Sequence, residues 1–141
     1  MSVTISSVLL DQMLRHAAET PDREVCGLLF GGGDRVDAAT ACTNVAADRE
    51  RNFEIDPSAL IAAHRAARAG VPVVVGHYHS HPTGVPVPSP RDAAQAMGDG
   101  GIWMILGGGR VRAWRTLAAG LFVEEEIIPS DPPLTRATDR G

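Results

Sequence analysis

Apolar and polar positions divide the chain into segments of different period. From residue 7 to about 20, Leu10, Met13, Leu14 and Ala17 recur at helical spacing and Pro21 closes the run, which predicts a first amphipathic helix. Residues 25–30 form a short apolar run, 31–34 carry turn chemistry and 36–42 alternate loosely, the pattern of a β-hairpin. Residues 43–52 are polar and read as a loop. Asp56, Pro57 and Ser58 combine an N-cap with proline at the first helical position, and Gly70 supplies a stop, so a second helix is expected over 57–69. The β-branched stretch 71–79 predicts a central strand buried on both faces.

Beyond it, Pro82, Pro86, Pro88 and Pro90 stiffen an extended loop that feeds a short helix over 91–97. Residues 102–106 and 110–115 flank the glycines 107–109 as a second hairpin, and 121–128 read as a last strand. A domain over 1–128 is thus followed by a polar, proline-bearing tail at 129–141, for which mobility is expected. Helices and strands interleave, so the expected class is α/β, a mixed sheet flanked by helices. The glycine triplets at 31–33 and 107–109 extend to neither GxGxxG nor GK[ST], and hairpin turns account for them.

A chain of 141 residues, 44% hydrophobic and 21% charged, suits one soluble domain with one core. Seventeen acidic residues against 13 basic ones give a net charge of -4, so no general positive field exists to hold nucleic acid. All the basic residues are arginines, which removes Schiff-base and Walker-lysine chemistry. Cys26 and Cys42 are too few for a disulfide scaffold or a four-thiolate zinc site and are expected to be buried structural thiols. Residues 1–7 lack the features of a signal peptide, and no run approaches the roughly 20 apolar residues of a membrane helix. A cytoplasmic protein without membrane contact is expected.

Three of the five histidines fall in Gly76-His77-Tyr78-His79-Ser80-His81-Pro82, at the end of the expected central strand. A strand projects residues i and i+2 to one face, so His79 and His81 can converge on one ion. Ser89 and Asp92 follow where the proline loop enters the short helix, and Asp92 offers a third ligand. Two imidazoles and a carboxylate leave one tetrahedral position for water, the pattern of a catalytic zinc rather than a closed structural one. Ser89-Pro90-Arg91-Asp92 also reads as a capping box, and a lone pair of strand histidines is more often packed than metal-bound. The complete spacing HxHx7SxxD, with four residue types in register, decides for the metal.

The sequence resembles the JAMM, or MPN-plus, metallopeptidases over most of its length. The resemblance rests on His79, His81, Ser89 and Asp92, on Pro21-Asp22-Arg23-Glu24-Val25-Cys26-Gly27-Leu28-Leu29 at the first expected strand, and on Phe53-Glu54-Ile55-Asp56-Pro57 opening the second helix. It implies a single MPN domain of cytidine-deaminase-like architecture, with one zinc per chain held by His79, His81 and Asp92. It also implies that Glu24 is the general base and that Ser89 helps stabilise the oxyanion. A deaminase itself is not expected, because the HxE and PCxxC signatures are absent.

The implied activity is a zinc-dependent peptidase or isopeptidase. Segments 43–52 and 98–101 are short where polyubiquitin-cutting members carry insertions, so the resemblance is to compact bacterial enzymes. These process ubiquitin-like sulfur-carrier proteins at a C-terminal Gly-Gly. The alternatives are a non-catalytic MPN interaction module, which the intact motif disfavours, and a peptidase acting on cell-wall or phage-tail peptides, which the missing export signal disfavours. His77 stands where the family usually has a bulky aromatic, and a packing role or support behind the metal ligands is expected of it. His16 and His64 read as surface histidines, and Glu124 to Glu126 as charges guarding an exposed edge strand.

Overall fold

The computed structural model describes residues 2–70 and 73–130. Strand β1 (Ser2–Ile5) leads into helix α1 (Ser7–Glu19), whose N-cap Ser6 accepts the Leu9 N–H through Oγ at 3.2 Å. The first hairpin is β2 (Cys26–Gly32) and β3 (Arg35–Cys42). Helix α2 (Pro57–Arg68) begins at Asp56, whose carboxylate accepts the Ser58 N–H at 3.0 Å. Then come β4 (Val73–Ser80), the short α3 (Pro90–Gln95), β5 (Ile102–Gly107), β6 (Arg110–Ala118) and β7 (Leu121–Pro129). Of the expected tail, 131–141 lies outside the described residues. No helix among the described residues is long and apolar enough to cross a membrane.

The strands form one mixed sheet in the order β1-β3-β2-β4-β5-β6-β7, which closes on itself. Pairing is parallel for β1/β3, β1/β7 and β4/β5 and antiparallel elsewhere. Closure depends on β1, a strand the sequence reading did not include. Its alternation is only four residues long, yet Val3 and Ile5 are fully buried and it pairs with β7 from Ser2↔Glu126 to Ile5↔Pro129.

That closure corrects the reading of Glu124 to Glu126. With β6 on one side and β1 on the other, β7 is not an edge. Glu125 is buried and accepts from Arg115 Nε at 3.2 Å, while Glu124 forms a bidentate pair with exposed Arg112. A second correction concerns β4: Val73 is half exposed and only Tyr78 to Ser80 are fully enclosed, whereas every residue of β5 is buried. The strand buried throughout is therefore β5.

Two apolar clusters pack the sheet. Leu9, Leu10, Met13, Leu14 and Ala17 of α1 meet Val3, Ile5, Leu29, Tyr78, Met104 and Leu106. Ala59, Leu60 and Ala63 of α2 meet Cys26, Leu28, Phe53 and Ile55 on the other side. A bulge where Leu29 pairs with Gly76 but Phe30 pairs with Val74 leaves Val75 unpaired, so Val75 joins Tyr78 on the α1 side and Val74 lies on the α2 side. Cys26 is fully buried, but Cys42, its cross-strand neighbour, is only half-buried; both are free thiols. His16 is no free surface residue either: it is half-buried and its Nδ1 lies 2.7 Å from the Tyr78 hydroxyl. His64 is exposed as expected.

Candidate active site

Strand β4 delivers His77 and His79 to one face and His81 one residue past its end. The His81 N–H donates to the Leu106 carbonyl at 2.7 Å, which extends the pairing with β5 through the histidine. The proline loop that follows is fastened by three contacts. His81 Nδ1 lies 2.9 Å from the Val85 carbonyl, Trp114 Nε1–H donates to the Pro86 carbonyl at 3.2 Å, and Gly84 packs against Gly107 so closely that a Cβ on Gly107 would come within 2.8 Å of the Gly84 carbonyl carbon. The loop ends in the expected capping box. Ser89 Oγ accepts the Asp92 N–H at 3.1 Å and Asp92 Oδ2 accepts the Ser89 N–H at 2.9 Å. The box reading and the ligand reading coincide, because the same carboxylate faces both histidines.

His79 Nε2 lies 3.2 Å from His81 Nε2, 3.2 Å from Asp92 Oδ1 and 3.3 Å from Asp92 Oδ2. His81 Nε2 lies 3.1 Å from Asp92 Oδ2. Ligands about 2.0 Å from the centre of a tetrahedron are separated by about 3.3 Å, so three atoms at these spacings fit three corners around one zinc. The Nδ1 atoms of both rings are bonded elsewhere, His81 to Val85 and His79 to His77 Nε2 at 3.2 Å, which favours a lone pair on each Nε2. Glu24, His79 and His81 form a looser set, with ligand atoms within 4.8 Å of one another.

Glu24 lies just before β2, held by its backbone. Its N–H donates to the Arg49 carbonyl at 2.7 Å and its carbonyl accepts from Asn44 Nδ2 at 2.8 Å. The next residue, Val25, is clamped to Ser80, between the two histidines: Val25 N–H donates to Ser80 Oγ at 2.9 Å and Ser80 N–H to the Val25 carbonyl at 3.0 Å. Glu24 is only 6% exposed, and its Oε1 is buried with no hydrogen-bond partner among the described residues. A native structure rarely leaves a buried carboxylate oxygen unmatched without a use for it. A cleft of about 390 Å³ opens beside it, lined by Glu24, His81 and Ser89 with Arg51 and Arg91 at its sides.

Burial is the largest influence on the charges here. It raises Glu24 to about 7, with Asp92 adding to the shift and His81 and Arg91 opposing it. Burial would raise Asp92 too, but the adjoining His79 and His81 imidazoles and the Ser89 N–H, which donates to Oδ2, hold it far below the usual carboxylate range. His79 is pushed down, chiefly by burial. At His81 burial works downward, but the bonds to Asp92 and the Val85 carbonyl outweigh it and raise the group. His77 is pushed down to about 3 by burial and by His79. Two neighbouring carboxyl groups thus differ sharply: Asp92 is an anion, and Glu24 is poised to gain or lose a proton near neutrality.

All five residues singled out by sequence, Glu24, His79, His81, Ser89 and Asp92, come together. Others at the site were not singled out. Asn44, in the loop expected to be merely polar, uses its whole amide: Nδ2 donates to the Glu24 and Asn52 carbonyls, and Oδ1 accepts the Ala46 and Glu54 N–H groups. It fixes Glu24 on one side and, on the other, the segment carrying Phe53, whose ring stacks on His79 at a 4.3 Å centroid distance. Trp103 closes the far side, edge-on to His77 at 4.4 Å. An asparagine in a polar stretch signals local turn capping, and its contacts across the fold have no sequence periodicity to betray them.

The family model for prokaryotic homologs of the JAB domain matches residues 6–117. The chain is 39% identical over 101 residues to a desampylase of Haloferax volcanii, covering 67% of this chain and 73% of that protein. It is 32% identical over 88 residues, 62% of this chain and 59% of the other, to a probable TtuB-protein conjugate cleaving protease of Thermus thermophilus. In fold it is similar to a JAB1/MPN domain protein of Archaeoglobus fulgidus, at TM-score 0.58 and 22% identity, with 90% of this chain and 98% of that one covered. The match to the family model runs from α1 nearly to the end of β6 and takes in all five site residues, so this chain belongs to the prokaryotic JAB-domain family, built on the MPN fold.

Proposed function

We propose that this chain is a zinc-dependent peptidase or isopeptidase that cuts after the C-terminal Gly-Gly of a ubiquitin-like or sulfur-carrier protein. His79, His81 and Asp92 hold one zinc per chain, Glu24 is the general base and Ser89 donates to the oxyanion. The observation that carries this reading is the three ligand atoms at 3.1 to 3.3 Å spacing beside a buried carboxylate whose Oε1 has no partner among the described residues. When bound, zinc would supply Lewis acidity, making water a better nucleophile at neutral pH and polarising the scissile carbonyl.

Asp92 and Glu24 divide the work by their surroundings. Asp92 is locked by the Ser89 N–H and strongly anionic, which suits a fixed ligand. Glu24, raised to about 7, suits a group that takes a proton from the attacking water and returns it to the leaving amine. Ser89 Oγ uses a lone pair to accept the Asp92 N–H, so its own proton remains free to donate where negative charge develops. The relatives named as a desampylase and a conjugate cleaving protease support a protein conjugate as substrate. Glycines at the scissile bond suit a carbonyl that must reach ligands at the end of a strand, beside a loop stiffened by prolines, where side chains would obstruct the backbone.

The test is a ubiquitin-like carrier extended beyond Gly-Gly, compared with its Gly-Gly→Ala-Ala version by intact-mass spectrometry. Loss of the extension after the second glycine, from the first carrier alone, is expected. Equal cutting of both, or rapid cutting of unrelated short peptides with neither carrier cut, would overturn the proposal.

A further inference from the structure

We infer that His77 is a positioning residue for the metal site: its Nε2 accepts the Nδ1–H of His79 and so commits the His79 Nε2 lone pair to the cation. The inference rests on the reading of His79 as a ligand.

A neutral imidazole carries one N–H, and on His79 two acceptors compete for it. Asp92 lies 3.2 to 3.3 Å from Nε2 and would hold the proton there, hiding the lone pair a metal needs. His77 Nε2 lies 3.2 Å from Nδ1 and draws the proton to the far side of the ring. His81 meets the same difficulty with a backbone carbonyl, that of Val85 at 2.9 Å. His79 is fully buried within the sheet, and the side chain that reaches its Nδ1 is the one two residues back on the same strand face. The acceptor is also aimed. The two rings are within 17° of parallel, Phe53 lies against His77 at 4.9 Å, and Trp103 meets it edge-on. A bulky aromatic without a ring nitrogen could fill this space but could not accept the proton.

Two substitutions separate acceptance from packing. His77→Phe keeps the aromatic volume and loses the acceptor, whereas His77→Gln loses the ring and keeps an acceptor oxygen near the Nε2 position. Zinc affinity is measured by competition with a chromophoric chelator, which needs no turnover. His77→Phe is expected to weaken zinc by about 10- to 100-fold and His77→Gln by no more than about threefold. Parental affinity in His77→Phe, or a greater loss in His77→Gln than in His77→Phe, overturns the inference and leaves His77 a packing residue. Nitrogen-15 spectra of the unsubstituted protein after chelation give an independent answer: His79 protonated on Nδ1 is expected, and His79 protonated on Nε2 overturns the role. An unsubstituted protein that binds no zinc overturns the metal reading instead, and the spectra still decide what His77 does.

Discussion

The buried carboxyl of Glu24, whose Oε1 has no hydrogen-bond partner among the described residues, should cost the protein stability whenever it is ionised without a cation beside it. Its pKa rises from an ordinary 4.5 to about 7, chiefly through burial. Below about pH 4.5 the group is protonated in the folded and unfolded chains alike, so its full contribution to stability is present. As pH rises through about 7 the folded protein ionises it against the low-dielectric surroundings, and that contribution is lost. At about 1.4 kcal/mol per pH unit the loss is on the order of 3 kcal/mol at most for a residue 6% exposed. Glu24→Gln removes the titration and keeps the shape. Urea unfolding of chelator-treated parent and variant, at about pH 4 and about pH 8, cancels most groups the two share. The variant should gain on the parent by on the order of 3 kcal/mol between the acid and the alkaline experiment. A gap of the same size at both pH values would refute the argument, since it would mean that Glu24 is solvated or paired in the folded state.

Asp92→Asn should abolish zinc retention in elemental analysis while the thermal transition of the chelated protein persists, because neither apolar cluster is built from His79, His81 or Asp92. Gly76→Ala should be poorly tolerated, by roughly 2 to 3 kcal/mol or more in chemical denaturation, because a Cβ there would collide with the Ile102 backbone and push β4 away from β5. Arg115→Met should cost roughly 3 kcal/mol by the same measurement, since it leaves buried Glu125 unpaired and also releases Asp34. Arg35→Met breaks a pair lying in solvent and should leave the unfolding midpoint unchanged.

What could be read from the chain follows from the range of the interactions involved. Helices α1 and α2 announce themselves through periodicity and caps, and a strand's period of two brings the His79 and His81 Nε2 atoms together, so these features are local. The role of Ser89-Pro90-Arg91-Asp92 is local too, since the capping box that starts α3 also fixes the carboxylate. Glu24 is different: nothing near it in sequence marks it among the acidic residues, and only the resemblance to a family singled it out. Strand β1 escaped because four residues carry little pattern, and its effect is felt at the other end of the chain. Missing it made β7 look like an edge and Glu125 look exposed, although Arg115 and the closing strand bury that carboxylate. Asn44 went unread for the same reason, and Phe53 entered only through the resemblance with no sign of its stacking on His79, as their partners, Glu24 and His79, lie 20 and more positions away.

The central claim is that His79, His81 and Asp92 hold the metal while Glu24 moves the proton. It is tested most directly by measuring zinc content and hydrolysis of an extended Gly-Gly carrier on the same preparations of parent and Glu24→Gln. The account expects about one zinc per chain in both proteins and a hydrolytic rate lower by about 10² to 10⁴ in the variant. Zinc lost together with activity would make Glu24 a ligand, and zinc retained with parental turnover would remove it from the chemistry; either result contradicts the account.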